Sequence, residues 1–351
     1  MHELPQSTSL RREPSSSKFL LVNLLLMASL STEIRAAGRP IPIIFDTDIG
    51  CDVDDAYALV LAARSPQIEL RAVTTLYGKA GLRSAIAHKV LLLMGKTGTP
   101  VASGESQSLD GHKPFSGEWE GKGILVPGEP SEDFPQKTAA ELITETLLAS
   151  EEKITLVAVG GLSNVATILQ GNPSLKSKIA RVVIVGGCSR SIVVEGKTIP
   201  DKFETNLHND VDAAKIVLEA GLPITLVPAD VTFRTKLLKT DLARIRASGT
   251  PLAKAMSAMT AEWEPHLKDF LDCFSVPASY ADDLVMLHDP LAVATLVDPN
   301  IAKIVRQKFR VEVNKDEIRL VIDPAGPITI DLVTEVDLIK LSNLVAAKVV
   351  Q

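Results

Sequence analysis

The sequence predicts an α/β protein: a mostly parallel open sheet with helices on both faces and a small C-terminal antiparallel meander. Three observations carry this. From residue 41 onward, short apolar runs alternate with breaker-free helical stretches; one of those runs empties into an unusually acidic loop; and after Pro290 the texture changes to period-two alternation between turn signals.

The first run, Ile41-Pro42-Ile43-Ile44-Phe45, reads as a buried strand, and residues 56–63 as the helix that follows it. The pattern then repeats: strand 68–75 and helix 82–94, strand 154–159 and helix 162–169, strand 182–185, helix 213–220 and strand 224–227. Such alternation belongs to a parallel, Rossmann-like sheet. Residues 102–135, rich in Gly, Pro, Ser and charge, read as a long excursion bordering a site. Residues 236–274 read as helices, with Trp263, His266, Phe270 and Phe274 as candidates to line or cover a pocket, although ordinary core packing accounts for such rings equally well. Residues 309–313, 317–322 and 328–330 alternate between turn signals and predict the antiparallel meander, and 336–349 a last helix.

Composition narrows the function. The chain has 351 residues, 46% of them hydrophobic, enough for one large core, and residues 39–351 read as a single domain. A net charge of −6 with no Lys or Arg stripe argues against nucleic acid and suits a small neutral or cationic ligand. Three widely spaced cysteines, Cys51, Cys188 and Cys273, do not make a disulfide framework. Residues 1–38 read as a signal peptide or disordered leader: Arg11, Arg12 and Lys18, an apolar stretch 19–28, then Ser29 and Ser31. The expectation is a secreted or periplasmic protein, with a cytoplasmic one as the alternative. The apolar stretch is too short for an ordinary membrane span, so no stable membrane insertion is expected after cleavage.

The acidic loop carries the chemistry. Asp46, Asp48, Asp52, Asp54 and Asp55 fall within ten residues at the carboxyl end of the first strand, where α/β sheets keep their ligand sites. Like charges this close need compensation, and a hard cation with oxygen ligands, Ca²⁺ or Mg²⁺, is the natural candidate. Preference for a helix amino terminus explains one or two of the five at most. An EF-hand fails, since Gly50 is one place early and no closing Glu follows. A phosphoryl-transfer site with Asp46 as nucleophile and Asp48 as acid leaves the Asp54-Asp55 pair without a purpose.

Other strand ends add candidates. The Gly160-Gly161 turn permits close backbone approach, so a carbonyl near Val159 is a candidate main-chain metal ligand. Glu204 and Asn206 precede a helix capped by Asn209 or Asp210, and share a side if that stretch is extended, where they would grip a polyhydroxylated ligand. His288-Asp289-Pro290 opens another helix, pairing a proton donor with a metal ligand.

Together these pieces resemble the inosine-uridine-preferring nucleoside hydrolase family from about residue 41 to the last helix. The resemblance rests on Asp46-Thr47-Asp48-Ile49-Gly50 with Asp52-Val53-Asp54-Asp55-Ala56, on Gly160-Gly161-Leu162-Ser163-Asn164, on Glu204-Thr205-Asn206 before Asp210, and on Leu287-His288-Asp289-Pro290, in that order. It implies hydrolysis of the N-glycosidic bond of a small-molecule ribonucleoside around one Ca²⁺, by a homo-oligomer. Asp48, Asp55, Asp289 and the Val159 carbonyl would bind the metal, and Asp54, Glu204 and Asn206 the ribose. Asp48 would be the general base and His288 the acid for the departing base.

The chain departs from the family pattern in three places. Lys79 stands where the family usually has Asn, and an ammonium there disfavours a cationic transition state unless it points away or pairs with an acid. Thr198 replaces an Asn six residues before the Glu, and Thr205 replaces Phe. These changes motivate an alternative: a non-catalytic or altered-substrate protein that keeps the metal cage and binds a sugar or nucleoside.

Overall fold

The computed structural model describes residues 38–126, 137–273, 275, 285–315 and 317–351. Residues 1–37 of the expected leader lie outside them, as does Phe274. From Ile41 the chain runs β1 (Ile41–Thr47), α1 (Asp54–Arg64), β2 (Ile68–Thr75), α2 (Ala80–Leu93), β3 (Val101–Ser103), α3 (Ala139–Ala149), β4 (Ile154–Ala158), α4 (Ser163–Gly171) and β5 (Ile179–Val185). It continues through β6 (Ile192–Val194), β7 (Lys197–Ile199), the single turn α5 (Thr205–His208), α6 (Val211–Leu218), β8 (Ile224–Val227), the single turn α7 (Ala229–Thr232), α8 (Lys239–Ser248) and α9 (Pro251–Asp272). It closes with α10 (His288–Val297), β9 (Ala302–Asn314), β10 (Glu317–Ile322), β11 (Ile328–Val336) and α11 (Leu338–Val350).

The strands read as unbroken apolar runs because both faces of the sheet are covered. Side chains alternate between two cores: Ile43 and Phe45 of β1, Val157 of β4 and Val183 of β5 enter one, while Ile44, Leu156 and Val182 enter the other. Helices α1, α2 and α8 to α11 cover the first face, and α3, α4 and α6 the second. Helix α1 is buried from Asp54 to Ala63 because it lies between the sheet and helices α10 and α11, so it shows no amphipathic stripe. The helical segment expected over 236–274 is two helices, parted at Gly249, whose φ of 72° closes α8 in the left-handed conformation glycine tolerates.

Among the described residues the main sheet has nine strands, in the order β10-β9-β11-β8-β5-β4-β1-β2-β3. The seven from β3 to β11 are parallel, and β9 is antiparallel to both its neighbours. The antiparallel strands expected near the C-terminus are therefore present. They extend the main sheet edge to edge, since β11 pairs in parallel with β8 and leaves β9 between itself and β10. Phe309, Ile330 and Leu332, buried in the second core, fix that register.

One topological fact positions the site. From β1 the chain builds outward through β2 to β3, then returns after α3 to β4 on the other side of β1 and builds outward again through β5 and β8. The carboxyl ends of β1 and β4 flank the point where the strand order reverses, and no crossover covers the crevice there. Among the described residues no helix is long and apolar enough to cross a membrane.

Candidate active site

The acidic loop leaves β1 into this crevice. Gly50 makes its turn at a φ of 111°, and a Cβ there would lie 2.8 Å from Ile86 Cδ1. Asp52 meets the amide protons at the entrance to α1, accepting from Val53 N at 2.5 Å and from Asp54 N. The N-cap itself is Val53, with no side-chain cap bond, and Asp54 and Asp55, in the first turn of α1, have other partners. Asp54 Oδ2 accepts the amide of Asp289 at 3.0 Å, and Asp55 Oδ1 accepts the Thr47 hydroxyl.

Helix α10 packs on α1, and both helices begin at the crevice. Their first turns bring Asp54, Asp55 and Asp289 together, all buried, with one carboxylate oxygen from each within 4.8 Å of the others. Burial first and repulsion from neighbouring aspartates second push all three carboxyl groups well above their usual range; the largest repulsion comes from Asp52 for Asp54, from Asp48 for Asp55 and from Asp54 for Asp289. Two helix amino termini aim partial positive charge at this spot, but three carboxylates need a full cation to ionise together. Oxygen-only donors of this kind suit a hard divalent ion rather than zinc.

The sequence assigned the metal to Asp48, Asp55, Asp289 and the Val159 carbonyl, with Asp54 on the ribose. The cluster that converges consists of Asp54, Asp55 and Asp289. Asp48 stands beside it: burial raises its pKa, and the Arg83 guanidinium, 3.9 Å from Oδ2, acts in the opposite direction. Gly160, after β4, lets the Asp48 segment approach closely, since a Cβ there would meet Asp48 Oδ1 at 2.7 Å. The Val159 carbonyl accepts a hydrogen bond from Asn206 Nδ2 at 2.5 Å, and the same amide donates to the Val185 carbonyl at 3.0 Å. Asn206 thus bridges the carboxyl ends of β4 and β5.

Glu204 is not on an extended segment beside Asn206. It is the N-cap of α5, and its carboxylate accepts the Leu207 amide at 3.1 Å. Asp210 caps α6 through Ala213 N, as expected. His288 opens α10 with Nδ1 2.6 Å from the Thr232 hydroxyl and its ring edge-on to Phe233. Burial lowers its pKa to about 4, so at pH 7 it is a neutral imidazole.

Asp46 is enclosed. Its Oδ1 accepts from Thr74 at 2.6 Å and Asn164 at 2.8 Å, its Oδ2 has no partner, and burial raises its pKa to about 7. Only 1% exposed, it ties β1 to β2 and α4 and has no access to a phosphoryl group. Lys79 points to the rim, half exposed and 3.9 Å from Glu118. Thr198 lies on the exposed face of the β6–β7 hairpin, and Thr205 is also exposed.

Sequence reasoning missed Arg83, Glu120 and Trp119. Arg83 is wholly buried, bonded to Glu120 at 3.1 and 3.2 Å and to the carbonyls of Leu76 and Phe115. Trp119 donates to the Cys51 carbonyl at 3.0 Å, stacks on His266 at 3.7 Å and lies 5.5 Å from Trp263. The excursion therefore borders the site, and its aromatic residues meet two of the rings expected to line a pocket. Nothing in the local pattern marks a single Arg on an apolar helix; its signal is purely three-dimensional. Phe270 packs edge-on to Phe203, away from that group.

Known proteins of similar sequence and fold point to one family. The family described as inosine-uridine preferring nucleoside hydrolase matches residues 43–341. The pyrimidine-specific ribonucleoside hydrolase RihA of Enterobacter sp. (strain 638) is 36% identical over 266 residues, 74% of this chain and 80% of that protein. Its counterpart from Klebsiella pneumoniae is 35% identical over 277 residues, 78% and 84% of the two chains. Among solved structures, the plant nucleoside hydrolase PpNRh1 superposes with a TM-score of 0.75 at 23% identity, covering 89% of this chain and 99% of its own. A purine-preferring ribonucleoside hydrolase from Gardnerella vaginalis gives 0.73 at 23% identity, over 88% and 98%. These structures share the fold.

Proposed function

The chain belongs to the inosine-uridine preferring nucleoside hydrolase family, hydrolases of N-glycosidic bonds, and from that premise we propose that it cleaves ribonucleosides at a Ca²⁺ site built on Asp54, Asp55 and Asp289. The observation that carries this reading is the buried trio itself, three carboxylates held together at the switch point of the sheet. Asp48 and the Val159 carbonyl complete the proposed donor set, and Asp54 serves the ribose as well. When bound, the cation supplies charge compensation, a hold on vicinal ribose hydroxyls and a lowered pKa for a neighbouring water.

The remaining steps belong to the protein. Asp48, at the edge of the trio and in the field of Arg83, removes a proton from the attacking water as its oxygen bonds to C1′. The C1′–N bond breaks with its electron pair leaving on the base, and the base takes up one proton. Asn206, at the ends of β4 and β5, and Glu204 hold the ribose, and Glu204 places negative charge near a ring that becomes oxocarbenium-like. His288 delivers the proton to the base. With a pKa of about 4 it does so from a small protonated fraction, replenished by a proton from water. Lys79 lies at the rim against Glu118 and does not enter this chemistry, which removes the main motive for a non-catalytic reading.

The test is release of free base and reducing sugar from uridine, cytidine, inosine and adenosine by protein from residue 41 onward, before and after chelation. Pyrimidine nucleosides lead the panel because the RihA relatives are named for them. Chelator-sensitive release is expected; calcium binding with no release from any nucleoside would overturn the reading. Export through residues 1–38 and assembly as a homo-oligomer belong to the same proposal, checked by the mature N-terminus and by light scattering.

A further inference from the structure

We propose that His208 is a positioning residue for this reaction, fixing the plane in which the Glu204 carboxylate faces the ribose. The inference rests on the reading of Glu204 as a ribose-contacting group.

Helix α5 is a single turn, too short to be stable on its own, so the orientation of its cap residue depends on side-chain bonds. Glu204 takes the Leu207 amide on its carboxylate, at 3.1 Å to Oε1 and 3.4 Å to Oε2. Gly186, after β5, leaves room for this: a Cβ there would lie 2.9 Å from Glu204 Oε1. One amide restrains a carboxylate but does not fix its rotation. The second restraint comes from His208, one turn on, whose Nδ1 lies 2.8 Å from the Glu204 carbonyl and 3.3 Å from Oε2.

Nδ1 faces two acceptors, so it carries the hydrogen and donates to both. Among the described residues His208 is the only side chain bonded to that carboxylate. Burial acts to lower the His208 pKa, but the bonds to Glu204 and its charge outweigh burial, with a smaller push from Glu317, and raise it overall. The ring also borders a cleft of about 310 Å³ lined by Cys188, Arg190, Asp201 and Arg319. The His208 side chain is largely covered, and its Nδ1 is directed to Glu204 by the two bonds.

A carboxylate fixed in one plane stabilises growing positive charge more than it stabilises neutral substrate, so its loss appears in kcat rather than KM. A merely structural pin would lower the unfolding midpoint and leave the turnover of the folded fraction alone. The two are separated by comparing wild type, Glu204→Gln, His208→Leu, the double variant and His208→Asn, with kcat, KM and unfolding midpoint measured for the best nucleoside of the panel.

His208→Leu is expected to lower kcat about 10- to 100-fold, the worth of one charge-assisted hydrogen bond, with KM within about threefold. His208→Asn, whose amide hydrogen occupies the place of Nδ1–H, is expected to restore kcat to within about threefold of wild type. In the Glu204→Gln background the leucine change is expected to cost under about threefold, because its target is already altered. Should the leucine protein not fold, His208→Ala is read in the same way. Unchanged kcat in His208→Leu, an equal loss in both backgrounds, or an asparagine variant no better than leucine would each overturn the proposal while the hydrolase reading stands. Wild type that releases no base removes both, and is recognised before any variant is compared.

Discussion

Replacing Asp289 with Asn should make the metal-free protein more stable and the calcium-loaded protein less so. The Asp289 carboxylate has an oxygen within 4.8 Å of one on each of Asp54 and Asp55. At an effective dielectric of about 20, two unit charges at that distance repel by about 3.5 kcal/mol. Proton uptake relieves part of this, so removing one charge recovers about 1–2 kcal/mol at pH 8, or about 2–4 °C in a chain of this size. The sign follows from the direction of the shifts. All three pKa values are raised in the folded state, so their stabilising contribution is complete below the ordinary carboxylate range and is lost as pH rises through the folded values. The advantage of the Asn variant without metal therefore widens from about pH 4, near the unfolded value, to pH 8. With calcium at a hundred times its dissociation constant, wild type gains about 2.7 kcal/mol, and the variant, lacking one ligand charge and binding about a hundredfold more weakly, about 0.4 kcal/mol. Calorimetry at both pH values, with chelator and with calcium, gives four midpoints for each protein, and the two proteins should exchange order between the metal conditions. A variant less stable than wild type in chelator at pH 8, or one that keeps the full calcium gain, would refute the reasoning.

Three further outcomes follow from the same geometry. His288→Ala should slow release of uracil or hypoxanthine about 100-fold or more, yet leave p-nitrophenyl riboside within about tenfold, because p-nitrophenolate departs without a proton; equal losses on both would remove the acid role. Arg83→Met strands the buried Glu120 carboxylate and should cost about 3–5 kcal/mol by chemical denaturation, most of it recovered in the Arg83→Met, Glu120→Gln pair, and a pair no better than the single change would show that packing rather than charge is at stake. Gly160→Ala sets a Cβ 2.7 Å from Asp48 Oδ1 and 2.8 Å from its amide, and should weaken calcium binding at least tenfold by titration calorimetry while the circular dichroism spectrum is kept; wild-type affinity would place Asp48 outside the metal's reach.

The strands of the main sheet other than the three-residue edge strand β3 were legible because fully buried strands write themselves as apolar runs, and the antiparallel edge because period-two alternation marks strands with one wet face. The lateral order of those last strands was not. The alternating pattern is the same whether β11 lies beside β10 or between β8 and β9, and burial of Ile330 and Leu332 in the second core decides between them. Glu204 shows a related limit. Its polar neighbourhood announced a functional segment, but an extended stretch and a one-turn helix share that composition, and only the bond to Leu207 N identifies the cap. Lys79 looked hazardous in sequence and harmless in structure because two residues of left-handed backbone, Tyr77 and Gly78, turn the chain outward before it.

By itself the sequence determined what depends on neighbours along the chain: the alternation of strand and helix, the acidic loop at the end of β1, the glycine turn after β4 and the Asp-Pro start of α10. Each is a local pattern whose physics acts within a turn or a strand. Only the tertiary structure decided which carboxylates meet. Asp54 and Asp289 are 235 residues apart and touch because two helices, each buried against the same sheet, begin at the one crevice its topology leaves open. Arg83 and Glu120 likewise find each other only after the excursion folds back on α2, since a buried charge must take whatever partner the packing brings within reach.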